Sequence, residues 1–468
     1  MGTVSGLTGR GTTAGATAPL VSAGMKRDAE TCTRVVATGL SLRPPGIGVT
    51  VRVPARIQSP CPDEGAQRER DVVRRGVRVL MAAVLGVLFL AMMVPVPASA
   101  EPLYPWPDPD PFYLAPADLG ATAPGDVVRT RRIDTWMYAN SDGWQVAFRS
   151  TNSAGNPILA VTTVLLPRGV ANPPLVSYQA IVNSLGTKCA PSRALFNLEM
   201  QESPGMLLGL QRGWAVSVPD HLGPTGAYGA AKLGGMITLD SVRAVQRVTE
   251  LGLANSPVAL AGYSGGGMAS AWAAALAPTY APELRLAAVV QGGVPADLEQ
   301  MAEGLGFNPH PGFGLAFAAA IGLEREYPDR LPVSSQLNET GLWLRDWMSN
   351  ECRRFLLFHG AFRNAGQLAA SRSLMASSAA RQVLRENSLR YFEGVPTAPV
   401  YMWHGTLDGL TPFDSVAEVA HRYCAAGARL TFVPYDISEH MTTAVVGFPD
   451  AYEFIAARFR GEPAPTRC

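Results

Sequence analysis

Between Val258 and Met268 the chain passes from a short apolar stretch, Val258 to Ala261, through Gly262-Tyr263-Ser264-Gly265-Gly266, into the small-residue run Met268 to Leu276. No other feature constrains the fold as strongly. A Gly-x-Ser-x-Gly sequence in that setting predicts a strand that turns sharply into a helix with the serine at the bend. Such a bend holds the serine in a sparsely populated backbone conformation, and the flanking positions cannot carry a bulky Cβ. Gly262 and Gly266 meet that demand. In a chain with 47 glycines the pentapeptide also arises by chance, so its flanks carry the argument. Val258 to Ala261 reads as a buried parallel strand and Met268 to Leu276 as a strong helix former. A serine presented this way needs an acid and then a histidine further along the chain.

The rest of the chain supplies a frame for such a bend. Apolar runs at Trp144 to Phe148, Leu159 to Leu166, Pro174 to Tyr178 and Trp214 to Pro219 read as strands, with regular structure starting near Arg131. The later ones are separated by helical stretches such as Ile237 to Val248. That alternation predicts an α/β fold with a mostly parallel central sheet covered on both faces. After a further strand at Leu286 to Gln291 the pattern is helical from Asp297 to Gly394, and strands resume at Ala398 to Trp403 and Ala428 to Pro434. An insertion of that length predicts a helical cap or lid at 297–394, dividing the core into 101–296 and 395–468. Its apolar segments, Phe313 to Leu323 and Leu342 to Met348, suit a cover over an apolar cleft or a face that meets a lipid–water interface. The opening, Glu101 to Tyr113, has proline at every second or third position and is expected to lie extended on the surface.

Chain order selects the partners of Ser264. Of six histidines, His221 precedes the serine, and His310 and His359 fall in the helical insertion. Asp408 sits in the loop after the strand ending at Trp403, the carboxyl end where open α/β sheets build their sites. His440 occupies the corresponding loop one strand on, 32 residues later, or one helix plus one strand. His404 is too close to Asp408 along the chain and His421 lies in the intervening helix, so the triad read from the residues is Ser264, Asp408 and His440. Asp414 and Asp436 are the competing carboxylates. An oxyanion formed at Ser264 needs two donors. Gly265, directly after the serine, offers its backbone N–H, and Asn183 in the loop after Pro174 to Tyr178 is the candidate for the second.

The charge balance is uneven. Residues 1–100 carry 12 Lys and Arg against 6 Asp and Glu, leaving 27 against 32 in residues 101–468. No basic surface remains there to point to nucleic acid. Arg74, Arg75 and Arg78 precede the apolar run Val79 to Val94, which is followed by a small-residue Ala98-Ser99-Ala100 end. This pattern, at 74–100, predicts a secretory signal cleaved after Ala100. Sixteen apolar residues are short for a membrane span, though an anchor through residues 79–94 is the alternative. Residues 1–73 lack sustained periodicity and read as a disordered extension or the product of a start codon assigned too early. Cys189, Cys352, Cys424 and Cys468 fit two disulfides in an oxidising compartment, and four cysteines allow three pairings. No spacing typical of a zinc site occurs, and nothing calls for a metal or organic cofactor.

Together these motifs resemble the secretory lipase family, of the lipase A type. The resemblance rests on Asp110-Pro111-Phe112-Tyr113, Pro124-Gly125 with Val127 to Arg129, Ser177 to Gln179, Cys189 to Ser192, Gly262 to Gly266 and His404 to Asp408, closing on His440. It covers roughly residues 102–460. It implies an α/β-hydrolase with an inserted helical cap, acting on triacylglycerols and other carboxylic esters through Ser264, Asp408 and His440. It also implies disulfides Cys189–Cys352 and Cys424–Cys468. Two departures stand out: Asn183 where the family has Asp, and Asp220 to Gly223 in place of a more acidic turn. The alternatives are an acyltransferase or peptidase with the same triad and, more remotely, an inactive protein that binds lipid or cell wall.

Overall fold

The computed structural model describes residues 101–468, Leu198 and Arg372 excepted. The extension 1–73, the apolar run 79–94 and the cleavage expected after Ala100 lie outside the described residues. Nine strands form one sheet: β1 (Val127–Ile133), β2 (Ser141–Thr151), β3 (Pro157–Pro167), β4 (Leu175–Gln179), β5 (Ala215–Pro219), β6 (Val258–Tyr263), β7 (Leu286–Gly292), β8 (Val400–Gly405) and β9 (Leu430–Tyr435). Their order across the sheet is β1-β2-β3-β5-β4-β6-β7-β8-β9. Pairing is antiparallel from β1 to β5 and parallel from β5 to β9. The helices of eight or more residues are α1 (Ser203–Gln211), α2 (Ala231–Arg247), α3 (Gly265–Tyr280), α4 (Leu298–Gly306), α5 (Phe313–Glu326), α6 (Glu339–Met348), α7 (Arg353–Gly360), α8 (Ser378–Glu386), α9 (Phe413–Ala425) and α10 (His440–Phe459).

Strand burial explains the apolar runs. Every residue of β4, β5, β6 and β8 is buried, as a parallel strand covered on both faces requires. On β6, Leu260 joins a core shared with α2, α3 and α9, whereas Ala259 and Ala261 join the opposite core against α1 and α10. The alternation is the period of two expected of a strand.

Two features differ from the sequence expectation. Strand β1 begins at Val127, ahead of Arg131, because its Arg129, Arg131 and Arg132 mask a periodic apolar pattern. It is an edge strand, where charged side chains are tolerated and deter further pairing. The proline-rich opening, expected to run extended, contains one helical turn, the 3₁₀ helix Pro111–Tyr113. Pro111 stands at the first helical position, where its missing N–H costs nothing, and Asp110 caps the turn by accepting from the Phe112 N–H.

Between β7 and β8 the described chain contains helices α4 to α8, two single α-helical turns, Ala365–Leu368 and Ser373–Ala376, and two 3₁₀ turns, Ser334–Gln336 and Leu389–Tyr391. Phe317, Ile321, Leu344, Met348 and Leu356 of this segment belong to the same buried cluster as α2 and α3, so the segment shares the core of one sheet face. Arg325 of α5 fastens it. Its buried guanidinium donates to the carbonyls of Leu103, Leu185, Thr225, Gly226 and Ser349. Burial pulls the Arg325 guanidinium down to about 10, still charged at neutral pH.

Candidate active site

The chain turns at Ser264 as the glycines demand. Ser264 adopts φ 54° and ψ −122° between the end of β6 and the first residue of α3. Its N–H donates to the Gly292 carbonyl at 2.9 Å and its carbonyl accepts from Met268 at 2.8 Å, so β7 and the first helical turn both hold the bend. A Cβ on Gly262 would lie 2.3 Å from the Gly266 carbonyl oxygen, and one on Gly266 would lie 1.8 Å from that of Gln179. Neither position admits any side chain.

The loops after β8 and β9 bring the acid and the histidine to this bend. His440, the first residue of α10, has its Nε2 2.9 Å from Ser264 Oγ and its Nδ1 2.5 Å from Asp408 Oδ2. Asp408 Oδ1 accepts from the backbone N–H groups of Leu410 and Thr411, each at 2.9 Å, and Oδ2 accepts from Thr411 Oγ1 at 2.7 Å. Burial by itself would raise the Asp408 carboxyl. The hydrogen bond and charge of His440 and the Thr411 donors outweigh it and hold the group below the usual carboxylate range. Asp408 is therefore an anion that fixes the Nδ1–H tautomer of His440 and leaves Nε2 free to accept from the serine. Asp414 lies instead in the first turn of α9.

Two neighbours were not singled out from the sequence. Thr411 supplies two of the Asp408 hydrogen bonds. It is itself held by His404, whose Nε2–H donates to the Thr411 carbonyl at 2.9 Å. Burial depresses the His404 imidazole, which favours its neutral form. The spacing Asp-Gly-Leu-Thr after β8 was the available signal, since a hydroxyl three residues after an aspartate can close a turn on it. Tyr263 is the other. Its ring packs 5.1 Å from that of His440 and its hydroxyl donates to the His440 carbonyl.

Gly265 and Asn183 meet beside the serine. Asn183 follows β4 with φ 40°, in the left-handed region that asparagine tolerates better than most residues. Its Oδ1 would lie 2.4 Å from a Cβ on Gly265, and no group in the described protein donates to that buried oxygen. The loop is anchored from behind: Leu185 and Gly186 both donate to the Glu351 carbonyl, and Cys189 is bonded to Cys352. A second disulfide joins Cys424 of α9 to Cys468. Below the same loop Asp220 accepts from the Ser192 N–H at 2.8 Å and the Ser192 hydroxyl at 2.5 Å. Burial pushes its carboxyl up to about 7, against those two bonds.

Ser264, His440, Gly265 and Asn183 open into a cavity of about 210 Å³. Its wall is otherwise mostly apolar, with Met268 from α3, Leu298 from α4, Phe317 from α5 and Leu384 from α8. Among the described residues no group of three or more His, Cys, Asp and Glu side chains is placed to hold a metal ion.

A mostly parallel sheet with a serine at a strand–helix bend and acid and histidine on later loops defines an α/β-hydrolase. The sequence pattern of the Secretory lipase family matches residues 198–466. The chain belongs to that family. It is 30% identical to lipase A of Moesziomyces aphidis over 84% of this chain and 89% of that protein. A secreted triacylglycerol lipase of Malassezia furfur is 32% identical over 78% of this chain and 82% of its own length. A protein of Mycobacterium tuberculosis named a "probable inactive lipase" is 31% identical over 76% and 83%. Among solved structures, lipase A of Candida antarctica in its closed state superposes with a TM-score of 0.72 at 31% identity, covering 76% of this chain and 87% of that one.

Proposed function

We propose that this protein is a secreted serine carboxylic-ester hydrolase that acts on triacylglycerols. The observation that carries the reading is His440 hydrogen-bonded to Asp408 on one side and Ser264 on the other, at the edge of an apolar cavity. Ser264 Oγ attacks the ester carbonyl carbon while His440 Nε2 takes its proton, and the carbonyl π electrons move onto oxygen. The oxyanion receives the Gly265 N–H and a donor of the Asn183 loop. Collapse expels the alkoxide, which takes the proton from His440 and leaves as the alcohol. Water then repeats the sequence on the acyl-enzyme, releasing the fatty acid and restoring Ser264. The helical segment 297–394 acts as the cap, since its α4, α5 and α8 supply much of the wall against which an acyl chain would lie.

The relative named a "probable inactive lipase" makes turnover the first thing to test. Mature protein is incubated with a fluorophosphonate probe and assayed on p-nitrophenyl esters of increasing chain length beside the matching anilides. The reading expects labelling that is lost in Ser264→Ala, and ester turnover that exceeds anilide turnover. Anilide cleavage without ester cleavage, or wild-type protein that neither labels nor turns over esters, would overturn it.

A further inference from the structure

Helix α8 has different neighbours on its two faces. Ala380 and Leu384 form part of the apolar cavity wall beside Ser264. Arg381 and Arg385, on the outer side, line a second cavity of about 730 Å³, whose wall also includes Lys232 of α2 and Arg330. Four cations face this groove and one carboxylate, Glu386, lines it. The concentration is local, since residues 101–468 carry more acids than bases.

The existing pairs do not use all of this charge. Glu386 is held by Arg330 through two bonds of 2.8 and 2.9 Å. Arg385 pairs with Glu299 at 2.8 Å and lies 5.3 Å above the Tyr391 ring. Glu326, close by, accepts from the Ser153 N–H at 2.6 Å. Lys232 and Arg381 make no ion pair among the described residues, and Lys232 contributes only a longer-range attraction to Glu386. Behind them Trp272, 1% exposed and part of the same wall, has an indole N–H with no acceptor. Unpaired like charges held around one hollow repel each other, and an anion seated there relieves that repulsion.

We propose that this groove binds a phosphate-type oxyanion between Lys232 and Arg381. A guanidinium presents a planar fork of donors and an ammonium a point charge, a pairing that suits a multi-oxygen anion better than a single acceptor. The anion bridges α2 of the core and α8 of the helical segment. Because the inner face of α8 walls the apolar cavity, occupancy stiffens that wall. The inference stands independently of which ester the enzyme cleaves.

The test has two arms, for free phosphate and for a phosphate headgroup. In the first, the melting temperature of the folded chain is followed as inorganic phosphate replaces chloride at constant ionic strength. A rise of about 2 °C at tenfold saturation is expected in the wild type, of the size that ligand linkage gives a domain this large. It should vanish in Lys232→Ala/Arg381→Ala and survive in Lys232→Arg/Arg381→Lys. In the second, co-flotation with phosphatidylglycerol vesicles is compared with phosphatidylcholine vesicles for the same proteins. A phosphate response lost in the alanine pair supports a soluble anion. Flotation on the anionic vesicles alone, lost in that pair, supports a headgroup. Wild type and alanine pair behaving alike in both arms would overturn the proposal. Both side chains reach solvent, and the charge-conserving pair reports on folding.

Discussion

Replacing Asp408 by asparagine tests the site most sharply, because the hydrogen bonds dictate which way the amide must turn. Asp408 Oδ1 accepts from two backbone N–H groups, Leu410 and Thr411, and cannot be exchanged for an NH₂ without leaving both donors facing another donor. The amide oxygen of the variant therefore takes the Oδ1 position, and its NH₂ faces His440 Nδ1. An NH₂ there donates to Nδ1, which forces the histidine proton onto Nε2. Nε2 then donates to Ser264 Oγ and cannot accept from it. The fold should tolerate the change, since Thr411 can turn its hydroxyl to accept from the new amide. Removing the correct tautomer in a Ser-His-Asp triad lowers kcat by about 10⁴-fold, or about 5 kcal/mol of transition-state stabilisation. The assay is kcat/KM on a short p-nitrophenyl ester alongside the rate of fluorophosphonate labelling, with a melting curve to establish folding. Both rates should fall together by several orders of magnitude while the melting temperature changes little. A folded Asp408→Asn variant within tenfold of wild type would refute the assignment of Asp408 as the orienting acid.

Three further outcomes follow from the geometry. The Asp220 carboxyl, buried and raised to about 7 against an ordinary 3.8, stabilises the fold fully below pH 3.8, and that contribution is lost as pH rises to 7. Asp220→Asn should therefore flatten the decline of melting temperature between pH 4 and pH 7, and an unchanged slope in differential scanning fluorimetry would contradict this. On chain entropy alone, the Cys189–Cys352 bond, spanning 163 residues, is worth about 5 kcal/mol against about 4 for Cys424–Cys468, which spans 44. Cys189→Ser/Cys352→Ser should melt lower than Cys424→Ser/Cys468→Ser and also lose turnover, because Cys189 lies just behind the Asn183 loop; equal turnover in the two would separate that loop from the bond. Leu384→Trp, which fills the cavity from α8, should cut kcat/KM for a sixteen-carbon ester at least tenfold more than for a four-carbon ester, and a uniform loss across chain lengths would place the acyl chain elsewhere.

How much of this was legible in the sequence depends on how local each cause is. Gly262 and Gly266 announced the bend because the clash that excludes any Cβ there lies within one turn of chain or against the neighbouring strand. The strands β4, β5, β6 and β8 announced themselves because burial on both faces leaves a continuous apolar run. Strand β1 did not, since its three arginines obey no core and its pairing to β2 is supplied by a partner already in the sheet. The position of β5 between β3 and β4 was equally hidden. Nothing in Ala215 to Pro219 says which strand will lie beside it, because backbone pairing is indifferent to sequence and the crossover is decided by how helices pack.

The site shows the same division. Chain order and loop position singled out Asp408 and His440, but Thr411 and His404, which hold the carboxylate, came only with the folded loop. The Asp408-to-Thr411 spacing signals a local turn, but the bond by which His404 holds Thr411 exists only once the end of β8 and the following loop close on one another. The point bears on Asn183. The sequence registers only that asparagine replaces an acid; the fold adds a left-handed backbone, a side chain against Gly265 and an Oδ1 with no donor. An aspartate there would bury a carboxylate oxygen next to Ser264, where it would oppose the charge developing on the oxyanion unless protonated. The neutral amide carries no such conflict at any pH. Asn183→Asp should therefore leave turnover nearly unchanged in acid and depress it progressively as pH rises, with kcat falling more than KM rises. A flat ratio of variant to wild-type kcat between pH 5 and pH 9 would show that only the backbone of this residue matters.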